Sequence, residues 1–170
     1  MLAALLSLLP VAAVSTGSGM GMYGTASFGG GGGGDAAVEN AKEDYDVAIR
    51  MMDKNDFDDA IPRLLKVMRV LQGNADILND LGYATRMAGN YDDSVEYLQR
   101  AISRNPDLKI AYANLGQTYL SMHQPDQARQ QLEQLKRLCP GGCDEKYTLS
   151  QAMASYSDKA PAPAAPGSGK

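Results

Sequence analysis

Few side chains in this chain have the chemistry that catalysis or metal binding requires. Its 170 residues include one histidine, His123, and two cysteines, Cys139 and Cys143. A catalytic nucleophile needs a base beside it, and a metal site needs several nitrogen, sulfur or carboxylate ligands held together. The spacing of these residues indicates neither arrangement. We therefore expect no enzyme activity, no catalytic residue, no cofactor and no bound metal.

The two cysteines are separated by Pro-Gly-Gly, a spacing that differs from the CxxC of redox proteins and the CxxCH of haem attachment. A tight turn at Gly141 and Gly142 would bring the two Cα atoms into the range of about 4.4–6.8 Å that a disulfide needs. We favour a structural disulfide that fixes the last helix against the preceding one. Two free thiols, or a metal or redox role, are the alternatives.

Two further motifs resemble ligand sites but lack essential parts. Residues 19–24 match the GxGxxG of dinucleotide sites, but no strand precedes them and no helix directly follows. Within them, Met20 and Met22 offer two thioethers, a weak basis for a copper site. The acidic run at residues 53–59 lacks the glycine and the glutamate that a calcium loop needs at its sixth and twelfth places. We interpret the first motif as part of a flexible tether and the second as a solvated turn.

The ends of the chain differ sharply in composition from its middle. Residues 1–15 are apolar like a secretory signal, although no lysine or arginine precedes the apolar run, and they are too short to span a bilayer. Residues 16–34 form a spacer that holds ten of the 18 glycines, and no charged residue occurs before Asp35. Residues 158–170 are rich in proline and alanine and are predicted to be disordered.

The end segments and the net charge predict where the protein is located and which partners it does not bind. We expect a periplasmic or secreted protein with no stable membrane span once the leader is cleaved, and a cytoplasmic one if the leader is not functional. The net charge of −4, without a basic cluster, argues against nucleic acid as a partner because phosphate binding needs clustered lysine and arginine.

A period of 34 residues organises the middle of the chain. Leu81-Gly82 recurs at Leu115-Gly116, and Val47-Ala48 precedes the first pair by the same interval. Small residues, leucines and prolines keep this register at Ala60, Ser94 and Ala128, at Leu64, Leu98 and Leu132, and at Pro106 and Pro140. The sequence therefore predicts three repeats, over residues 41–74, 75–108 and 109–142.

Each repeat is predicted to contain two helices joined by a turn. In the second repeat, apolar residues recur at steps of three and four on either side of Gly89-Asn90, and Asn90 is expected to cap the second helix. A further helix over residues 144–156 is expected to cover the apolar end of the last repeat. Its residues to be buried are Tyr147, Leu149, Met153 and Tyr156.

The period, the Leu-Gly pair, the small residue twelve positions later and the closing proline resemble the tetratricopeptide repeat, over residues 41–142. The resemblance implies an all-α domain over residues 35–157, a right-handed helical solenoid of three helix-turn-helix repeats plus a C-terminal capping helix. It also implies that the first helix of each repeat lines a concave groove that binds a protein or peptide partner. The run from Leu138 to Glu145, which contains both cysteines, is similar to the end of small exported bacterial members.

Carried over by position, the resemblance places twelve residues in the groove. Tyr83 turns away from the packed apolar stripe of its helix, which suits it to partner contact. A C-terminal acidic ligand is disfavoured, because Arg86 is nearly the only cation in the groove and Asp53 lies near it in the predicted groove. The twelve are Tyr45, Ile49, Met52, Asp53, Asn79, Tyr83, Arg86, Met87, Ala113, Asn114, Gln117 and Leu120.

These observations favour a non-catalytic protein–protein interaction or assembly module that holds a partner peptide or segment in its groove, in a bacterial periplasm. The alternative is an accessory factor in metal or redox handling that uses the Met/Gly spacer and the CxxxC pair.

Overall fold

The computed structural model describes residues 35–159. The predicted signal segment, the spacer with its GxGxxG match and its two methionines, and residues 160–170 of the predicted tail lie outside this range. The described chain folds into α-helices without a strand, which confirms an all-α helical solenoid. The helices are α1 (Asp35–Asp53), α2 (Phe57–Val70), α3 (Ala75–Met87), α4 (Tyr91–Arg104), α5 (Lys109–Ser121), α6 (Pro125–Leu138) and α7 (Asp144–Lys159).

The turn inside each repeat has the same backbone geometry. Asn55, Gly89 and His123, spaced 34 residues apart, have φ values of 64°, 86° and 59°. The next residue's N–H donates to a carbonyl five residues back, as from Asn90 to Thr85 at 2.8 Å. This is the Schellman motif, whose left-handed position favours glycine and tolerates asparagine and histidine. His123 therefore serves the fold as a turn residue.

Capping differs from the sequence expectation. Asn90 makes no side-chain hydrogen bond to the start of α4, whereas Asn74 Oδ1 accepts from the N–H groups of Asp76 and Ile77 at the start of α3. The expectation for Asn90 is wrong because its backbone (φ −87°, ψ 72°) lies outside the extended region typical of a capping residue. Asn74, at ψ 119°, lies within it.

Glycines allow the helices to approach closely at two equivalent places. A Cβ on Gly82 would lie 2.4 Å from Leu98 Cγ of α4, and one on Gly116 would lie 2.5 Å from Leu149 Cδ2 of α7. Ser94 Oγ, on α4, donates to the Gly82 carbonyl at 2.7 Å. In the last repeat, the leucine that packs against the glycine therefore comes from the capping helix α7.

The apolar core consists of two clusters in contact. The first lies among α1, α2 and α3 and includes Leu64 and Leu81, and the second extends from Leu78 to Leu149. Met68 and Tyr97 pack against both clusters, so the core is continuous along the solenoid.

The capping helix α7 buries one face only. Leu149 is fully buried, Met153 and Tyr156 are half-buried, and Tyr147 is 64% exposed. The expectation that Tyr147 would be buried is wrong, because it lies two residues from Leu149 and so on the other side of a helix with 3.6 residues per turn. Its hydroxyl accepts a hydrogen bond from Gln151 instead.

The two cysteines lie at the junction between α6 and α7. Their sulfur atoms are 2.07 Å apart and their Cα atoms 6.0 Å apart, which is a disulfide distance. Cys139 follows α6 directly, and Cys143 directly precedes α7. The pair therefore connects the last repeat to the helix that covers it.

An ion-pair cluster joins α1 to α2 at the first repeat. The Asp44 carboxylate lies 2.5 Å from Lys66 Nζ and 3.2 Å from Arg63 Nη1. The hydrogen bond from Lys66, with the charge of both cations, holds the pKa of Asp44 below its usual value against the opposing effect of burial.

None of the helices between residues 35 and 159 has the length and apolar character needed to cross a membrane.

The contact at Gly82 generates a stability prediction. Gly82→Ala should lower the free energy of unfolding, because its Cβ would overpack against the fully buried Leu98, at a cost of about 1–3 kcal/mol. This cost should exceed the gain of about 1 kcal/mol that alanine brings to a helix.

Chemical denaturation measures the effect, and Leu98→Val is the control background. The smaller side chain should relieve the contact, so Gly82→Ala should cost less there than in the parent chain. Stabilisation by Gly82→Ala in both backgrounds would contradict the close packing.

Candidate partner-binding face

The first helices of the repeats form one side of the solenoid. α5 packs against both α3 and α7, and α1 is tied to α3 by a side-chain hydrogen bond, while α2, α4 and α6 pack as the second helices of their pairs. We call the side formed by α1, α3, α5 and α7 the inner face. It corresponds to the groove that the sequence predicts.

Four buried polar side chains link three of these helices. Tyr45 Oη donates to Asp80 Oδ2 at 2.7 Å, and Asn79 Nδ2 donates to Asp80 Oδ1 at 3.2 Å. Asn114 Nδ2 donates to Asn79 Oδ1 at 2.9 Å. Asn79, Asp80 and Asn114 are fully buried, and Tyr45 is 5% exposed. We call this set the polar ladder, and it joins α1 to α3 and α3 to α5.

The predicted groove residues fall into two groups by exposure. Half of them are buried in the described chain, where they pack between helices: Tyr45, Met52, Asn79, Ala113, Asn114 and Leu120. The others are half-buried or exposed: Ile49, Asp53, Tyr83, Arg86, Met87 and Gln117. Partner contact by any of the twelve stays a prediction, and the second group is the one that a partner can reach.

Sequence reasoning missed the role of Asp80. Asp80 lies inside the stripe from Ile77 to Leu81 and is fully buried. Two polar residues, Asn79 and Asp80, in the middle of an apolar stripe were the available signal. They indicate buried hydrogen bonds, because an unpaired polar group in a core is strongly unfavourable.

Accessible side chains of α3 form a small aromatic and cationic group. The Tyr83 ring packs edge-on against Phe57, with centroids 5.9 Å apart and planes at 73°. The Arg86 guanidinium carbon lies 5.2 Å from the Tyr83 ring centroid, and Met87 is 42% exposed. Rings and thioethers of this kind offer contact area that adapts to different partners.

A cleft of about 280 Å³ lies between α3, α5 and α7 on the inner face. Tyr156 forms part of its α7 wall, and the Tyr156 hydroxyl also lies 3.4 Å from His123 Nδ1 in the turn of the third repeat. The capping helix therefore supplies one side of the cleft. Its lining residues are Arg86, Gln117, Leu120, Ser121, Ala152, Ser155 and Tyr156.

Among residues 35–159, Arg86 is the charged residue that lines this cleft. Its Nε is buried and makes no hydrogen bond to any residue between 35 and 159. Burial lowers the pKa of the guanidinium, since removal from water disfavours the charged form. Asp53, expected beside it from the sequence, is not among its partners in the described chain.

The described residues contain no cluster of three or more histidine, cysteine, aspartate or glutamate side chains that could hold a metal ion.

Comparison with known families agrees with this architecture. Residues 45–109 and 85–138 each match a family model described as tetratricopeptide repeat. The chain belongs to the tetratricopeptide repeat family. No curated protein matches its sequence.

Solved structures with the same fold include three that span most of the described chain. The Sgt2 TPR domain from Aspergillus fumigatus has a TM-score of 0.62 and 16% identity, covering 71% of this chain and 78% of its own. MamA has a TM-score of 0.57 and 27% identity, with 71% and 70% covered. The first TPR of Spaghetti (RPAP3), bound to an HSP90 peptide, has a TM-score of 0.61 and 15% identity, with 70% and 94% covered.

The polar ladder generates a prediction about the inner face. Tyr45→Phe should lower the free energy of unfolding by about 1.5–3 kcal/mol, because it removes a hydrogen bond to a buried carboxyl group. Tyr112→Phe is the matched control. It removes an exposed hydrogen bond to the Pro106 carbonyl and should cost less than about 1 kcal/mol. Equal destabilisation of the two variants would show that the buried bond of the ladder contributes no more stability than an exposed hydrogen bond.

Proposed function

We propose that this chain is a non-catalytic interaction or assembly module that binds a segment of a partner protein on its inner face. The observation that carries the proposal is the accessible group of Ile49, Tyr83, Arg86, Met87 and Gln117 above the polar ladder. A rigid base beneath adaptable side chains lowers the entropy lost on binding.

Structures of the same fold support a peptide-like partner. The first TPR of Spaghetti (RPAP3) is bound to an HSP90 peptide, and the TPR2AB domain of yeast Sti1 is in a complex with pHSP90. Both are similar to this chain in fold, at 15% and 14% identity. We infer from them the kind of partner, an extended protein segment, and not its identity.

We also propose that the protein works in a bacterial periplasm with Cys139 and Cys143 joined as a structural disulfide. The apolar residues 1–15 support export, and the distance between the sulfur atoms suits an oxidising compartment. The metal or redox alternative would rest on the cysteine pair and on the methionines of the spacer.

Photo-crosslinking in the native host tests the binding face. A photoreactive residue replacing Met87 on α3 should crosslink a partner, because it lies on the inner face. The matched control replaces Val70 on α2, which is equally exposed at 42%. Crosslinking from Val70 alone, or equally from both positions, would contradict the inner face as the binding site.

Intact-mass measurement tests the proposed location. The protein recovered from the periplasm should lack a leader cleaved near Ser15 and be lighter by two thiol hydrogens than the reduced mature chain. Metal titration of the same sample tests the alternative, because an accessory factor in metal handling should bind a metal ion tightly and stoichiometrically. An uncleaved and fully reduced chain in the cytoplasm would contradict both export and the disulfide.

A further inference from the structure

We propose that the cleft between α3, α5 and α7 binds one acidic side chain of the partner segment, which pairs with Arg86. This inference rests on the proposed function and names the chemistry of the partner at one position. It also gives the capping helix a part in recognition beyond closing the solenoid.

Among the described residues, Arg86 lacks the counter-charge that a comparable arginine has. Arg63 and Arg86 are the two half-buried arginines of the described chain, and Arg63 pairs with Asp44 at 3.2 Å. Arg86 has no carboxylate partner among residues 35–159, and its buried Nε has no acceptor there. A half-buried cation without a carboxylate partner favours an incoming anion.

Arg100 also lies against a tyrosine ring, but it has a carboxylate partner as well. Arg100 lies 5.7 Å from the Tyr97 ring centroid, much as Arg86 lies 5.2 Å from that of Tyr83. Arg100 nevertheless also pairs with Glu96, at 3.3 Å. On α3, Arg86 makes the same kind of contact with a tyrosine ring but has no acidic partner corresponding to Glu96 on α4.

The wall of the cleft carries a single charge among the described residues. Apart from Arg86, every lining side chain between residues 35 and 159 is uncharged, so this part of the cleft holds one positive charge and matches one negative charge. Ser121, Ser155 and Tyr156 add hydroxyl groups at its edge, and Leu120 and Ala152 offer apolar contact to the methylene groups of a glutamate.

The size of the cleft suits a side chain better than a chain terminus. Its volume of about 280 Å³ lies at the lower limit of the roughly 300–1,000 Å³ typical of pockets that enclose a whole ligand. A side-chain carboxylate can reach the half-buried guanidinium on its own stem while the partner's backbone stays at the rim. A terminal carboxylate would require the backbone itself to enter.

The test uses peptides selected against the full chain. A library of random dodecapeptides is displayed between two fixed flanks, so that no peptide has a free terminus. The tightest binder is then synthesised with both ends blocked, and each of its acidic residues is replaced in turn by the matching amide.

Binding is measured on the parent chain, on Arg86→Gln and on Arg100→Gln, with thermal melts to check that each variant is folded. One glutamate-to-glutamine or aspartate-to-asparagine replacement should weaken binding to the parent chain by about 10- to 100-fold. The same replacement should change binding to Arg86→Gln by less than about threefold. Arg100→Gln, the stacked arginine on α4, should behave like the parent chain.

The outcomes separate this inference from the proposed function. Selected peptides whose affinity falls with Tyr83→Ala but is unaffected by Arg86→Gln would overturn the acidic side chain and leave the binding face intact. Recovery of the Arg86-dependent affinity by a free C-terminal carboxylate on the amide-substituted peptide would overturn the side chain as the source. Failure to select any peptide that depends on Tyr83 would count against the binding face itself, and this inference would fall with it.

Discussion

The stacking of the repeats depends on the hydrogen bonds of the polar ladder. A carboxyl group and two amides lie fully buried between α1, α3 and α5, where each needs a partner because water is excluded. A shift of one helix along its neighbour would break the bonds from Tyr45 to Asp80 and from Asn114 to Asn79. Apolar packing alone tolerates such shifts more readily, so the ladder fixes the register.

That register also sets the spacing of the accessible side chains. On a helix, residues three or four apart lie on the same face. Each ladder helix places a reachable residue one turn beyond a buried ladder member, and the pairs are Tyr45 with Ile49, Asn79 with Tyr83, and Asn114 with Gln117. The buried layer therefore sets the spacing of the side chains that a partner can reach.

Sequence periodicity predicted the helices well because turns and small residues act locally. The 34-residue shift aligned Asn55, Gly89 and His123, and these three share one backbone conformation. Depth of burial was less predictable, because it depends on side chains from other helices. The repeat pattern placed Asn79 on the groove side of its helix. Its burial, however, depends on contact with Asn114, which is 35 residues away. The contact of Gly116 with Leu149 could not be predicted from the period either. Because Gly82 packs against Leu98, the 34-residue shift would pair Gly116 with Leu132 instead.

The order of helix contacts has a consequence for how the chain assembles. All of the main packing contacts join helices that are adjacent or next but one along the chain. Contacts this local close only short loops, and such topologies fold rapidly. Stability then propagates from neighbour to neighbour, so the ends open before the centre. At the carboxyl end, the proposed bond between Cys139 and Cys143 would limit how far α7 can move when it opens, and would keep Leu149 close to Gly116.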